Sequence, residues 1–156
     1  MKKTKLISLL IVLCSLFFVQ GLFAQQQGTA AYEIEELLNT SSVTYGQSAR
    51  FILEASDKAV FSSADEAFLF AREKNWLTGN TTADQPARLD VIAKLFMNAF
   101  EIKGGLFYTL TGGSLYAYRE LVYLNIIQGK TEPGMKVSGD LLLFITGRVL
   151  TVHGGI

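Results

Sequence analysis

The chain contains almost no cysteine or histidine, the residues that many catalytic and metal sites require. Among its 156 residues there is one cysteine, Cys14, and one histidine, His153. His153 has no second histidine, cysteine or paired carboxylate close to it in the sequence, and a metal site or a general base needs such partners. The serines likewise lack a histidine that could activate them. We therefore expect a protein that is not an enzyme and that uses no metal and no cofactor.

The chain also has no surplus of positive charge. It carries 14 basic and 14 acidic residues and no basic stripe. Nucleic-acid-binding proteins need such a stripe to neutralise phosphates. No nucleic acid partner is therefore expected.

Residues 1–24 have the pattern of a secretory signal peptide. Three lysines precede an uncharged, predominantly apolar run, residues 6–19, which is shorter than a membrane-spanning helix requires. The small residue Ala24 stands before three glutamines, which predicts cleavage after Ala24. The mature chain, residues 25–156, is then an exported protein of the periplasm or cell envelope without a transmembrane span.

Cys14 offers an alternative, because a lipoprotein signal ends in a cysteine that becomes acylated. The residue before it is Leu13, where such a signal requires a small residue. Cleavage after Ala24 is therefore the preferred interpretation. It leaves a mature chain without cysteine, with 11 basic against 14 acidic residues, and excludes disulfides and cysteine-ligated metals.

Beyond the signal, the sequence repeats itself at a spacing of fifty residues. The shift needs no gap from about residue 65 to residue 100, and identical residues coincide at positions with a structural role. The coinciding pairs include Ala67 and Ala117, Asn75 and Asn125, Gly79 and Gly129, Thr81 and Thr131, and Asp90 and Asp140.

Each copy has the pattern of two helices joined by an elbow. Asn75 and Asn125 follow amphipathic runs, and asparagine tolerates the left-handed conformation that commonly ends helices. Gly79 and Gly129 then provide a second permissive turn. These four residues are the predicted structural elbows.

Helix starts are predicted from capping residues. Ser138 is a good N-cap, and Ser63 opens a capping box. Residues 84–86 are predicted to open a further helix, with Pro86 in its first turn. A worn third copy lies upstream, where Thr44 again begins a capping box.

These patterns predict an all-α fold of three stacked helical hairpins, because no hairpin can bury its apolar stripe alone. The single helical domain, residues 25–156, consists of a degenerate repeat at 30–60 and two clear repeats at 63–103 and 113–152. The glycine-flanked connector 104–113 is expected to be an ordered extended strip or short hairpin, because its large apolar residues are costly to leave in water.

The pattern resembles an S-layer homology repeat. Tyr116-Ala117 stands where that family has an aromatic-Ala pair, residues 125–129 replace its Gly-Ile-Val-x-Gly elbow, and residues 87–90 are close to its Thr-Arg-x-Glu motif. The resemblance covers roughly residues 63–150 and, less closely, 30–60. It implies a helical scaffold and the binding of an anionic envelope polysaccharide, which the arginine of the second-helix motif helps to hold.

The chain departs from that family in two respects. The Asp-Gly-aromatic loop after the elbow is missing. The motif arginine is present only as Arg88, while Thr44 and Ser138 occupy the other two copies. The scaffold is therefore the safer expectation than the polysaccharide site.

The candidate binding residues are the aromatic side chains of the densest aromatic region together with two arginines. Aromatic rings stack on sugars or anchor partner proteins, and arginines supply a polar rim. The candidates are Arg88, Tyr108, Tyr116, Tyr118, Arg119 and Tyr123.

The predicted function is that of a non-enzymatic envelope protein whose S-layer-homology-like scaffold binds peptidoglycan, another envelope polysaccharide or a partner protein. The alternative is a purely structural or assembly subunit of a periplasmic or outer-membrane complex.

Overall fold

The computed structural model describes residues 32–153, and their regular secondary structure is helical, with no β-strand among them. The all-α prediction is confirmed. The predicted signal peptide, residues 1–24, lies outside the described residues, as does Ala30, near the predicted start of the first repeat. The helices are α1 (residues 32–38), α2 (Tyr45–Ala55), α3 (Ala64–Glu73), α4 (Leu89–Ala99), α5 (Leu106–Thr111), α6 (Ser114–Tyr123) and α7 (Gly139–His153).

A compact unit begins at Leu37 and contains α2 to α7, and a separate unit ends at Glu36. Of the separate unit only residues 32–36, the first part of α1, are described. No helix within residues 32–153 combines the length and the apolar character that crossing a membrane requires.

Three helices begin where the capping residues predict. Thr44 caps α2 with a complete capping box, in which its hydroxyl accepts from the Gln47 N–H at 3.2 Å and the Gln47 side chain accepts from the Thr44 N–H at 3.0 Å. Ser63 caps α3 through its hydroxyl. α7 begins at Gly139, directly after Ser138. Local sequence is sufficient at these ends, because the capping groups are close neighbours in the chain.

The helix predicted to open at residues 84–86 begins at Leu89, and that prediction is wrong. Pro86 lies in an isolated antiparallel bridge instead of a first helical turn. The next residue, Ala87, donates its N–H to the carbonyl of Val43 at 2.8 Å. This long-range bond holds the chain extended for two more residues, and nothing in the local sequence announces it.

Four helices end in the same way, although none has glycine at the decisive position. In each, the residue after the cap has a positive φ between 53° and 57°, and the next N–H bonds back to a carbonyl five residues earlier. For α6, the Ile126 N–H donates to the Leu121 carbonyl at 2.9 Å. This is the Schellman arrangement, which satisfies carbonyls that a helix end leaves without partners. The left-handed residues of α2, α3, α4 and α6 are Asp57, Asn75, Glu101 and Asn125.

The helix pairs in closest contact join different predicted repeats. Among α2 to α7, the most extensive packing is of α2 on α3 and of α4 on α6. The structure differs here from the predicted hairpins 63–103 and 113–152, which pair α3 with α4 and α6 with α7. The connecting segments explain this pairing. Residues 56–63 reverse the chain directly between α2 and α3, whereas residues 74–88 form long-range hydrogen bonds with other parts of the chain before α4 begins.

The apolar stripes predicted for the helices do form the core. They belong to one cluster of buried side chains, in which the largest members are almost completely shielded from solvent. The stripe residues with no exposed surface are Ile92, Leu95 and Phe96 of α4, Ala117 and Leu121 of α6, and Leu142, Ile145 and Val149 of α7.

Three extended residues close a ring of hydrogen bonds within this core. The N–H of Val43 donates to the carbonyl of Val137 at 2.9 Å, and that of Val137 donates to Ala87 at 2.9 Å. The N–H of Ala87 completes the ring by donating to Val43. All three side chains have no exposed surface, and each residue stands two positions before a helix, α2, α4 or α7. The ring therefore joins three stretches of chain that are far apart in sequence.

Candidate functional site

The connector 104–113 contains a short helix, α5, which presents large apolar side chains to solvent. No residue of α5 is buried. Leu106, Phe107 and Leu110 are 69%, 63% and 72% exposed, and we call these three side chains the α5 face. The expectation of an extended strip or hairpin is therefore wrong, and so is the expectation that its large apolar residues avoid water. Among the six residues of α5, Tyr108 is the one that packs against the core.

Tyr116 and Arg119 form a stack with Phe107 beside this face. The rings of Phe107 and Tyr116 are 5.7 Å apart between centroids and 13° from parallel. The guanidinium of Arg119 lies over the Tyr116 ring at 5.8 Å. Such contacts fix an exposed aromatic ring in one orientation. Two of the predicted binding residues are thus brought together, with the face as their neighbour.

Tyr108 and Tyr118 have inward-facing structural roles. The Tyr108 hydroxyl accepts from the Asn98 side chain at 3.1 Å, and burial raises the pKa of Tyr108. The Tyr118 hydroxyl donates to the carbonyl of Thr131 at 2.8 Å. Both rings are half-buried against the core. A ligand would therefore reach only part of either side chain, whereas Tyr123, at 81% exposed, is open to solvent.

Arg88 belongs to a small polar cluster between the starts of α4 and α6. Its guanidinium holds Asp90 with two bonds, Nε to Oδ1 at 3.2 Å and Nη2 to Oδ2 at 3.0 Å. The same Oδ2 accepts from the Ser114 hydroxyl at 3.0 Å. The Asp90 side chain is only 7% exposed, while that of Arg88 is 55% exposed. Burial of the carboxylate is tolerated because it is paired and hydrogen-bonded.

The first backbone N–H groups of α4 are already occupied by carbonyls from a distant loop. The N–H of Leu89 donates to Met135 O at 2.9 Å, and that of Asp90 donates to Pro133 O at 2.8 Å. These bonds explain how α4 begins at Leu89 although its N-cap residue, Arg88, makes no side-chain cap hydrogen bond. They also leave these amides unavailable to an anion. α2 has the same arrangement, with Gln85 O and Ala83 O as the acceptors.

The four predicted elbow residues differ in conformation. Asn75 and Asn125 have nearly identical φ values, 57° and 56°. Gly129 is also left-handed at φ 86°, but Gly79 does not have a positive φ. The Asn125 carbonyl accepts from the Arg148 guanidinium at 3.0 Å, which connects this elbow to α7.

The structure also identifies polar residues that the sequence does not single out as site residues. Asp90 and Ser114 tie Arg88 to the first residue of α6. The sequence does indicate Asp90, because it coincides with Asp140 at the fifty-residue shift. This coincidence predicts a carboxylate at the start of a helix but does not predict which residues bind it. Within residues 32–153, no group of three metal-ligating side chains is close enough to hold a metal ion.

Comparison of the chain with protein-family models, with curated proteins and with solved structures finds no match. The candidate residues together offer an apolar and aromatic surface with adjacent cations, which is a binding chemistry.

Proposed function

We propose that the chain is a non-enzymatic protein exported to the cell envelope, in which an S-layer-homology-like scaffold of three repeats holds the α5 face against another envelope component. One observation carries the proposal: α5 buries none of its residues, and its three large apolar side chains are each more than 60% exposed to water. Contiguous exposed apolar groups commonly mark an interaction site, because leaving them in water has a cost in free energy.

The three-repeat scaffold is supported by the ring of hydrogen bonds. Val43, Ala87 and Val137 precede Thr44, Arg88 and Ser138, the residues that the resemblance aligns with one another. A ring in which each member donates to one neighbour and accepts from the other is expected of three equivalent copies around a common axis. Export is supported by the signal pattern of residues 1–24.

The proposal is tested by fractionating bacteria that express the tagged full chain. We expect the processed protein in the envelope fraction and expect Leu110→Asp to release it into the soluble fraction. Leu69→Asp is the matched control, because Leu69 is also an exposed helix leucine, at 53%, on α3. Equal retention of the Leu110→Asp variant and the wild type would exclude the α5 face as the point of attachment.

A second candidate function is the binding of an anionic envelope glycan at Arg88. The supporting observation is that Asp90 fixes the guanidinium while more than half of the Arg88 side chain stays exposed. Co-sedimentation of the purified protein with isolated sacculi tests it. Arg88→Ala should lower the bound fraction, and Arg72→Ala, at an exposed arginine of α3, should not. Loss of binding in neither variant would reject this candidate.

A further inference from the structure

The α5 face lies in a segment that carries no charge but is bordered by cations. Residues 104–118 contain no acidic or basic side chain. Lys103 directly precedes the segment and Arg119 directly follows it, and both are exposed. The carboxylate of Glu120 packs against Gly105 at the start of α5. An apolar centre with flanking cations is typical of protein surfaces that rest on anionic membranes.

The two threonine hydroxyls of α5 donate to backbone carbonyls one turn earlier in the chain. The Thr109 hydroxyl donates to the carbonyl of Gly105 at 3.0 Å, and the Thr111 hydroxyl donates to that of Phe107 at 2.7 Å. The N–H of Gly112 donates to Tyr108 O at 2.7 Å. In water such internal bonds are not required, because solvent can replace them. In a lipid environment they are required, because an unpaired polar group there has a large cost in free energy.

We propose that α5 is a membrane-surface anchor that seats its face among the headgroups and upper acyl chains of an anionic lipid bilayer. This inference rests on the proposed function and names the envelope component that the α5 face contacts. The three side chains stand out from a short helix, and a bilayer receives protruding side chains without needing a complementary pocket. A partner protein would need a matching groove, and it is the alternative that the experiment decides.

The neighbouring residues fit the same orientation. Tyr116 stacks on Phe107 and carries a hydroxyl at its tip, and such amphipathic rings favour the boundary between headgroups and acyl chains. Arg119 holds its guanidinium over that ring, where it can reach lipid phosphates. With α5 seated in this boundary, Lys103 and Arg119 are placed to contact anionic headgroups.

The test measures binding of the purified full chain to vesicles of phosphatidylcholine alone and of phosphatidylcholine mixed with phosphatidylglycerol. Any contribution of the apolar residues 6–19 is common to all variants. We expect Leu110→Asp to lower the partition coefficient about tenfold or more, and Leu69→Asp to leave it unchanged. Circular dichroism establishes that both variants are folded.

The flanking cations are tested in the same assay. Replacing Lys103 and Arg119 together by glutamine should weaken binding to the anionic vesicles severalfold and leave binding to neutral vesicles unchanged. An environment-sensitive dye at Thr111→Cys, in a Cys14→Ser background, should shift to the blue on binding. The same dye at Thr82→Cys, on an exposed turn, should not.

The inference is overturned if Leu110→Asp and the wild type bind vesicles equally, or if the dye on α5 senses no change of environment. Failure of the lipid inference can be distinguished from failure of the proposed function. If Leu110→Asp binds vesicles like the wild type but is still released from the envelope fraction, α5 attaches to a protein or a glycan. If neither assay responds, both proposals are wrong.

Discussion

Replacement of glycine by alanine is expected to have opposite effects on stability at two positions of α7. Gly139 is buried at the start of the helix, and a Cβ there would overlap the backbone of Leu37. Gly147 lies in the helix interior, where an added Cβ meets nothing within 4 Å. Replacing each by alanine therefore separates the steric effect from the intrinsic preference of alanine for helix.

The magnitudes follow from these contacts. Gly139→Ala forces the backbone apart, at about 1–3 kcal/mol for overpacking, and endangers the Gly139 N–H to Thr40 O bond of 2.9 Å, at about 0.5–1.5 kcal/mol. We expect a net loss of about 2–4 kcal/mol. Gly147→Ala should gain about 0.5–1 kcal/mol, because alanine is the better helix former.

Both variants are measured by urea and thermal unfolding followed by circular dichroism. For a unit of this size, 1 kcal/mol corresponds to roughly 3–5 °C in Tm, so Gly139→Ala should lower Tm by about 10 °C and Gly147→Ala should raise it slightly. A Gly139→Ala variant as stable as the wild type would refute the close approach of the Leu37 backbone to α7. A destabilised Gly147→Ala variant would refute the open surroundings of that position.

The remaining predictions concern the helix ends, the ring and one carboxylate. Asp57→Gly should raise the free energy of unfolding by about 0.5–1 kcal/mol by relieving the left-handed residue. Asp65→Gly in the first turn of α3 should lower it by about 0.5–1 kcal/mol, because glycine is a poor helix former and the helix N-terminus loses an anion. Changes of the same sign in urea titrations would contradict this. The N–H groups of the ring residues Val43, Ala87 and Val137 should exchange with deuterium nearly as slowly as global unfolding allows, although they lie outside helices. Exchange within minutes would contradict the hydrogen-bonded ring. A hydrogen bond from the Ser138 hydroxyl holds the pKa of Asp140 below its usual value, so its contribution to stability is present above the unfolded pKa and is lost as the pH falls through the folded pKa. In an NMR titration Ser138→Ala should raise that pKa, and an unchanged value would contradict the hydrogen bond.

Much of the helical structure could be predicted from the sequence because its determinants are local. The capping box of Thr44 with Gln47 acts over three residues. The buried stripe of α7 follows from helical spacing alone. A left-handed end at Asn75 or Asn125 likewise depends only on a tolerant residue after an amphipathic run. In each case the interacting groups are near neighbours in the chain.

The partners of these helices could not be predicted in the same way. An apolar stripe indicates that a helix is covered but not by which neighbour, so α2 on α3 and α4 on α6 were not foreseeable. The delayed start of α4 depends on the bond from Ala87 to Val43, and the burial of Asp90 depends on Ser114. These are long-range contacts that no local pattern encodes.

The α5 face could not be predicted from the amino-acid composition for a related reason. Large apolar residues such as Phe107 and Leu110 are expected inside, because most of them are. They are exposed on α5 because Tyr108 is the residue of this helix that packs against the core, and only the structure shows this. The sequence predicts Tyr116 and Arg119 as binding candidates, but only the structure shows that Tyr116 stacks on Phe107 and that Arg119 lies over the Tyr116 ring.

The closed ring has a consequence for how the chain acquires its fold. Its first member emerges from the ribosome well before its last, so the bond from Val43 to Val137 must wait until Val137 has been synthesised. An open solenoid can assemble module by module as it appears. The interior cannot close until α7 has emerged, so truncation before Val137 should leave the preceding segments without their native core, and closure of the core should be an all-or-none event.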